Sequence, residues 1–436
     1  MSYLSWGRYP LSTPAKVVPL RWLSDLPDLG KFPEKVLARG EGRSYGDVCL
    51  NQSGVLLDTR GLDHFIHFDQ QTGILRCEAG VTFREILCLV MPLRWFLPVT
   101  PGTQFVTIAG AVANDVHGKN HHRASSFGRH VIQLELLRSD GEQVLCSSEK
   151  NSDLFHATIG GLGLTGLILW VEIQLMRVPG PTIECEQIRF QTLDEFFEIS
   201  SASDKTHDYT VAWLDCVCPS RRHKLGRGLF MRGKHSALAG TKHSGSARSS
   251  LVKGFDAPES LINRTTVRAF NGLYFRRQLR DFVRSTVSVE SFFYPLDKVV
   301  AWNKLYGRRG FLQYQFVVPY ERREAVQNIL DLIQRSPVVC TLAVLKVFGT
   351  SVSSGILSFP RPGVTLALDF PFQGLSSLEL CEQFDEVVRA NNGAVYPAKD
   401  ARMSAESFRD YFPDWRKFLP FQDPQFSSDF WRRVAS

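Results

Sequence analysis

Between Pro101 and His122 the chain sets small residues (Gly102, Ala109, Gly110, Ala111, Ala113) beside a dense polar run (Asn114, Asp115, His117, Lys119, Asn120, His121, His122). Backbone stripped of side chains in this way can lie against a large flat ligand, and its exposed N–H groups can approach an anion closely. The same composition also suits a tight helix-packing seam followed by a solvated polar loop. Either way, the rest of the chain is organised around this stretch.

The rest of the chain supplies enough material to hold it. With 436 residues, 44% hydrophobic and 22% charged, it can bury the cores of two or three domains. A formal charge of +7 calls for an acidic partner: phosphate, nucleic acid or an anionic lipid surface. No nucleic-acid motif accompanies the charge, so a nucleic-acid partner is not expected. The nine cysteines show no CxxC or Cys/His ligand spacing, which predicts reduced thiols, a cytoplasmic setting and no metal site. The opening residues lack a signal-peptide pattern, and no stretch is apolar enough to span a bilayer. Any membrane contact is expected to be peripheral, at the inner face of the cytoplasmic membrane.

Upstream, Val36–Ala38 and Val55–Leu57 read as strands around the loop Gly40-Glu-Gly-Arg-Ser-Tyr-Gly-Asp47. Its glycines permit positive φ and could cradle a pyrophosphate, but the loop is not GxGxxG and no helix follows it, so a dinucleotide-binding βαβ unit is excluded. Phe65–Asp69 and Ile74–Glu78 read as a hairpin, and Thr82 with Glu85 forms a capping box for a helix that Pro92 stops. Val131–Leu137 and Gln143–Cys146 form a second hairpin. A helix over Asp153–Ile159 leads into Gly160-Gly-Leu-Gly-Leu-Thr-Gly166 and a long strand, Leu167–Met176. That glycine run is either backbone against ligand or a tight turn before the strand.

After Pro179-Gly-Pro181 the pattern changes, which marks a domain boundary. Strands are expected at Tyr209–Val217, Leu229–Lys234, Phe311–Pro319, Thr341–Phe348 and Val364–Phe370. Helices are expected at Glu321–Arg335 and Leu378–Ala390, the second with Ser376 and Glu379 as a capping box. Strands with helices to one side give an antiparallel sheet with one covered face, an α+β pattern. Alternation places Gln313 and Gln315 on one face of their strand, where they either bond a ring or sugar or simply face solvent. Lys346, between Val344 and Phe348, needs an anion or water at its end. From about 234 to 284 the chain is basic and rich in serine and glycine; it reads as a mobile loop passing into a partly helical stretch. That stretch is either a solvated loop or a lid or lipid-facing patch.

Taken in order, Arg43-Ser-Tyr-Gly-Asp47, Pro101-Gly-Thr103, Val116-His-Gly-Lys-Asn-His-His122 and Gly160-Gly-x-Gly-Leu-Thr-Gly166 resemble the FAD-binding domain of the vanillyl-alcohol-oxidase-type flavoproteins. Trp213-Leu-Asp215, Phe311–Val317, Lys346–Gly349 and Tyr396-Pro-Ala-Lys-Asp-Ala-Arg402 extend the resemblance to the branch that oxidises prenylphosphoryl ribose. The resemblance implies a two-lobed FAD domain over residues 1–180, a substrate domain over 181–393, and a C-terminal segment over 394–436 that returns to the FAD domain. It assigns Gly42, Arg43, Ser44, Tyr45, Gly46, Asp47, Gly102, Thr107, Ile108, Ala109, Gly110, Asn114, Asp115, Val116, His117, Ile168 and Tyr396 to the cofactor, with Ile168 beside the adenine. Gln313, Gln315, Lys346, Phe348, Trp213 and Lys119 fall to the substrate, and Lys399 with His117 to catalysis.

Some members attach flavin through a histidine in the first loop, which here offers Arg43 and Tyr45 instead, so noncovalent FAD is expected. Leu162 stands where the nearest members carry asparagine. Ala367 stands where they carry a pocket cysteine, so thiol-directed inhibitors lose their target. The implied reaction turns the 2-hydroxyl of a prenylphosphoryl ribose into a ketone, and a short-chain NADH-dependent reductase completes the epimerisation towards an arabinose donor for envelope glycan. An alditol or aldonolactone oxidase, or a noncatalytic flavin- or lipid-binding homologue, are the alternatives.

Overall fold

The computed structural model describes residues 3–217, 226–237, 256–299 and 301–435. Three main sheets carry the chain. Lys16–Pro19, Val55–Asp58 and Val36–Arg39 form a small parallel sheet, with Val55–Asp58 central. Its apolar residues Val36, Val55 and Leu57 enter one core with Leu167, Leu169 and Phe426. The second sheet is antiparallel, in the order Phe65–Phe68, Ile74–Glu78, Leu167–Gln174, Val131–Leu137, Gln143–Ser147. The helix Phe83–Val90 packs on its core, and the Thr82–Glu85 capping box forms as its sequence specifies.

The third sheet is antiparallel and eight-stranded: Phe282–Ser288, Thr182–Phe190, Gly228–Ser236, Tyr209–Leu214, Leu342–Phe348, Gly363–Pro371, Phe311–Val318, Ala394–Val395. Helices Ala325–Arg335 and Leu375–Ala390 cover one face. Their Val326, Ile329, Ile333, Leu380, Phe384 and Val388 meet Leu312, Phe316, Leu366 and Leu368 of the strands. Burying these aliphatic and aromatic side chains is the main force that fixes the sheet against the helices, at roughly 1.5–3 kcal/mol per fully buried side chain. The molecule is therefore α+β, as the alternation of its strands and helices indicates.

Two local expectations change. The capping box at Ser376 and Glu379 does not form, because Gly374 (φ +72°) turns the chain into the helix a turn earlier and leaves Ser376 inside it. The Ser377 hydroxyl is used instead, accepting from the Gln373 N–H at 2.8 Å and donating to the Pro371 carbonyl at 3.2 Å. The basic stretch after residue 234 begins in a strand. Residues 238–255, where the mobile loop is expected, lie outside the described residues, and Arg264–Arg276 is a helix.

The C-terminal aromatics return to the body of the molecule. Phe408, Trp415, Phe418, Phe430 and Trp431 join the large core, and Phe426 pairs with Val36 of the first sheet. Arg433 locks this return. It donates to both Asp47 oxygens at 3.0 and 2.7 Å, to Asp400 at 2.9 Å, and to the Met403 carbonyl. Both carboxylates are almost wholly buried, so removing the guanidinium strands two charges away from water. Arg433→Ala should therefore lower stability by about 3–5 kcal/mol, read as a drop in the urea midpoint with an unchanged slope. Loss of well under 1 kcal/mol would show that the pair is not needed.

Candidate active site

The uncovered face of the large sheet is where the polar side chains collect. Cross-strand partners share a face, and the register pairs Gln313 with Asp369, Gln315 with Ala367, Lys346 with Thr365, and Trp213 with Val344. One face thus presents Gln313, Gln315, Asp369, Ala367, Thr365, Lys346 and Trp213. It is not a solvent face: Gln313 is 8% and Gln315 4% exposed. Buried amides must be hydrogen-bonded, and these are. Gln313 donates to the Asp369 carboxylate, and Gln315 donates to the Thr365 hydroxyl at 3.2 Å and to His117 Nε2 at 2.8 Å.

That last contact fixes the imidazole. An amide nitrogen only donates, so His117 Nε2 accepts and its proton sits on Nδ1. Burial, with Lys346, His121 and Lys399 adding to it, holds the pKa of His117 well below the usual histidine range, so the ring is neutral. Phe348, Phe359 and Tyr396 surround it at centroid distances of 4.9, 5.7 and 5.3 Å. His117 Nδ1–H is a buried donor with no acceptor among the described residues.

Lys399 enters from the turn Pro397–Lys399. Tyr396 N–H bonds the Gln315 carbonyl at 2.9 Å and Tyr45 N–H bonds the Ala398 carbonyl at 2.9 Å, so sheet, turn and first glycine-rich loop are tied together. Lys399 Nζ stands 3.7 Å from the centroid of the Tyr45 ring, a cation–π position. Its pKa is pulled down to about 7 by desolvation, against the opposing field of Asp369. Burial in turn raises Asp369 to about 7, with the Gln313 bond and Lys399 opposing. Lys346 is lowered to about 8 by burial, and has no carboxylate in ion-pair reach among the described residues. Lys119 is lowered to about 7, chiefly by burial, and donates to the Phe292 carbonyl below that ring.

The glycine-rich turns are built for close approach. At Gly46 an added Cβ would run into the Asp400 carbonyl, whereas at Gly102 it would meet nothing within 4 Å, so that position forms an open cradle. Thr107 caps the helix Ile108–Ala113 through Gly110 N–H at 3.2 Å. Tyr396 donates to the Asn114 carbonyl at 2.8 Å, and the Asn114 side-chain oxygen is buried without a partner. These unpaired groups and the open cradle fit FAD.

Several residues assigned to the cofactor spend their side chains elsewhere. Asp47 is held by Arg433. Asp115 accepts from Gly128 N–H at 2.8 Å and from the Ser353 hydroxyl. Ile108, Val116 and Ile168 pack in the second core. Trp213 packs at 4.8 Å against Tyr274. Asp369 and Thr365 were not singled out from sequence. The available signal was the shared parity of Thr365 and Asp369, either side of Ala367, against Val364, Leu366, Leu368 and Phe370 in Gly363-Val-Thr-Leu-Ala-Leu-Asp-Phe-Pro371, but only the register shows which glutamines they meet.

Residues 29–147 match the FAD binding domain family, the same segment that holds the first glycine-rich loop, the Gly102 cradle and His117. Together with the polar sheet face, this makes the molecule an FAD-binding oxidoreductase. More closely, it is 37% identical over 92% of its length to the decaprenylphosphoryl-beta-D-ribose oxidase of Mycolicibacterium smegmatis, covering 89% of that protein, and belongs to its family. An uncharacterised Streptomyces coelicolor protein is 31% identical over 81% of this chain and all of its own. The L-gulono-1,4-lactone dehydrogenase of Mycobacterium tuberculosis is 24% identical over 98% of each chain.

Ala367, paired with Gln315 and Val344, leaves this position of the face without a thiol. A thiol-directed inhibitor should add no mass to the Gly363–Pro371 peptide, and Ala367→Cys should acquire one adduct there. Failure of Ala367→Cys to react would contradict this placement.

Proposed function

We propose that the protein oxidises the 2-hydroxyl of a prenylphosphoryl-β-D-ribose to a ketone, using noncovalent FAD. The observation that carries this reading is the arrangement of Lys346, Gln313 and Gln315 on one sheet face, with Lys399 brought to it by the turn Pro397–Lys399, beside a neutral His117 whose Nδ1–H has no acceptor among the described residues. When bound, FAD supplies the hydride acceptor. The chain does the rest.

Lys399, with a pKa near 7, is neutral in a large fraction of molecules at physiological pH. It can therefore take the proton of the reacting hydroxyl, as a general base should. Asp369 then steadies the ammonium that forms, through the field that already opposes the fall in its pKa. Lys346, unpaired and cationic below about pH 8, suits the substrate phosphate. His117 Nδ1–H and the glutamine amides supply fixed hydrogen bonds that orient sugar and cofactor rings.

The product is a 2-keto sugar, so epimerisation requires a reductase, for which a short-chain NADH-dependent partner is the chemical match. No helix among the described residues is long and apolar enough to cross a membrane; a peripheral position at the cytoplasmic face fits a lipid-linked substrate. An aldonolactone substrate is less well supported, since the lactone dehydrogenase is the more distant relative, 24% against 37% identical.

Anaerobic addition of prenylphosphoryl ribose should bleach the flavin absorbance, and acid precipitation should release all flavin into the supernatant. A flavin that stays yellow with this sugar and bleaches with an aldonolactone would reverse the substrate assignment. Lys399→Ala should keep its flavin and lose at least about 10²-fold in reduction rate. Because only the neutral amine can accept a proton, the rate in the unaltered protein should be low at pH 6 and climb through about pH 7. A flat profile between these values would remove Lys399 as the base.

A further inference from the structure

The helix Arg264–Arg276 has two unlike faces. Every fourth residue points inward: Val267, Asn271 and Phe275 are 8%, 2% and 3% exposed. Asn271 donates to Asp215 at 3.0 Å, and Phe275 joins a small core with Trp213 and Leu229, flanked by Tyr274. Outward, Phe270 and Leu273 are 62% and 71% exposed, and just beyond the helix Leu279 and Phe282 are 87% and 48% exposed. Large apolar side chains held in water this way mark an interaction surface.

The charge around them is predominantly positive. Arg268, Arg276, Arg277 and Arg280 are all exposed, and none has a carboxylate within 4.0 Å among the described residues. Arg277 lies over the Tyr274 ring at 4.3 Å, which leaves its charge unneutralised. Asp281 is the acidic residue of this stretch. Protruding apolar side chains set among unpaired arginines are the pattern of a surface that enters the interface of an anionic bilayer: the apolar groups take the acyl boundary and the arginines the headgroups.

The inner side of the same element gives that surface a purpose. Tyr274 and Phe275 pack on Trp213, which lies on the polar sheet face. One helix therefore separates the Trp213 end of the candidate site from the apolar, arginine-ringed exterior. We propose that Phe270, Leu273, Leu279 and Phe282, with Arg268, Arg276 and Arg280 around them, dock the protein on an anionic lipid bilayer and bring the Trp213 end of the site to the membrane surface. The docking stands on this surface alone; the benefit of having the site there rests on a lipid-linked substrate as proposed above.

The test is co-sedimentation of the full chain with vesicles of phosphatidylglycerol and phosphatidylcholine, against phosphatidylcholine alone. The unaltered protein should bind the anionic vesicles and release at high salt. Phe270→Ser/Leu273→Ser and, separately, Arg276→Ala/Arg280→Ala should each weaken that binding by about tenfold or more. Flavin content and reduction by a short-chain, water-soluble prenylphosphoryl ribose should be unchanged in both, as these residues touch neither cofactor nor sugar. Absence of binding by the unaltered protein, or full binding by both variants, overturns the docking surface. Binding lost in the arginine pair and kept in the apolar pair also overturns it, because the surface would then be a site for a soluble polyanion. The soluble substrate separates the two readings: bleaching without vesicle binding defeats docking alone, and vesicle binding without bleaching defeats the substrate assignment alone.

Discussion

Arg433 holds together three parts of the chain that lie far apart in sequence. Its guanidinium reaches Asp47 at the end of the first glycine-rich loop and Asp400 beside Lys399, from a helix near the C-terminus. Two buried carboxylates would repel one another without a shared cation, and burial already pushes Asp47 up to about 6 despite the arginine. The tie therefore fixes where the loop bearing Tyr45 sits relative to the turn bearing Lys399. The 3.7 Å approach of Lys399 to the Tyr45 ring follows from it. A misplacement of about 1 Å at a reacting group can cost about 10²-fold in rate.

From that tie the electrostatics of the site follow. Lysines gathered in a buried site lose solvation, and each is displaced downward: Lys119 and Lys399 to about 7, Lys346 to about 8. Their neighbours differ, and so do their uses. Lys399 has Asp369 to receive it when protonated, Lys119 has a carbonyl and a ring, and Lys346 has no carboxylate in reach. A group lowered towards neutrality beside a carboxylate serves proton transfer, whereas an unpaired cation serves to attract an anion. His117, held neutral with its proton on Nδ1, belongs to neither class and acts as a fixed donor.

The architecture separates these tasks by face. Helices seal one side of the eight-stranded sheet with aliphatic and aromatic side chains, and the opposite side carries amides, lysines and a carboxylate. Period-two alternation permits this division, since neighbouring residues of one strand serve core and site in turn. The same economy recurs in the Arg264–Arg276 helix, which packs Phe275 against the Trp213 wall and leaves Phe270 and Leu273 in water.

The sequence by itself settled the local structure and the pattern of the site. Capping residues set the start of the Phe83–Val90 helix, alternation set the strands around Gln313 and Gln315, and the glycine-rich loops with the Tyr396–Arg402 motif pointed to where the cofactor and the chemistry are proposed to lie. These are readable because propensity, capping and alternation depend on neighbours within a few residues. What only the tertiary structure decided was pairing. Asp369 opposite Gln313, His117 bonded by Gln315, and Arg433 shared by Asp47 and Asp400 join positions 56, 198, 386 and 33 residues apart. No local preference encodes such meetings; they arise from strand register and from which faces bury together. The start of the Leu375–Ala390 helix shows the same limit at short range, where the turn at Gly374 overrode a sequence signal for a cap at Ser376. The pKa values that give the lysines their separate roles belong here too, because desolvation is a property of the assembled site and of no single residue.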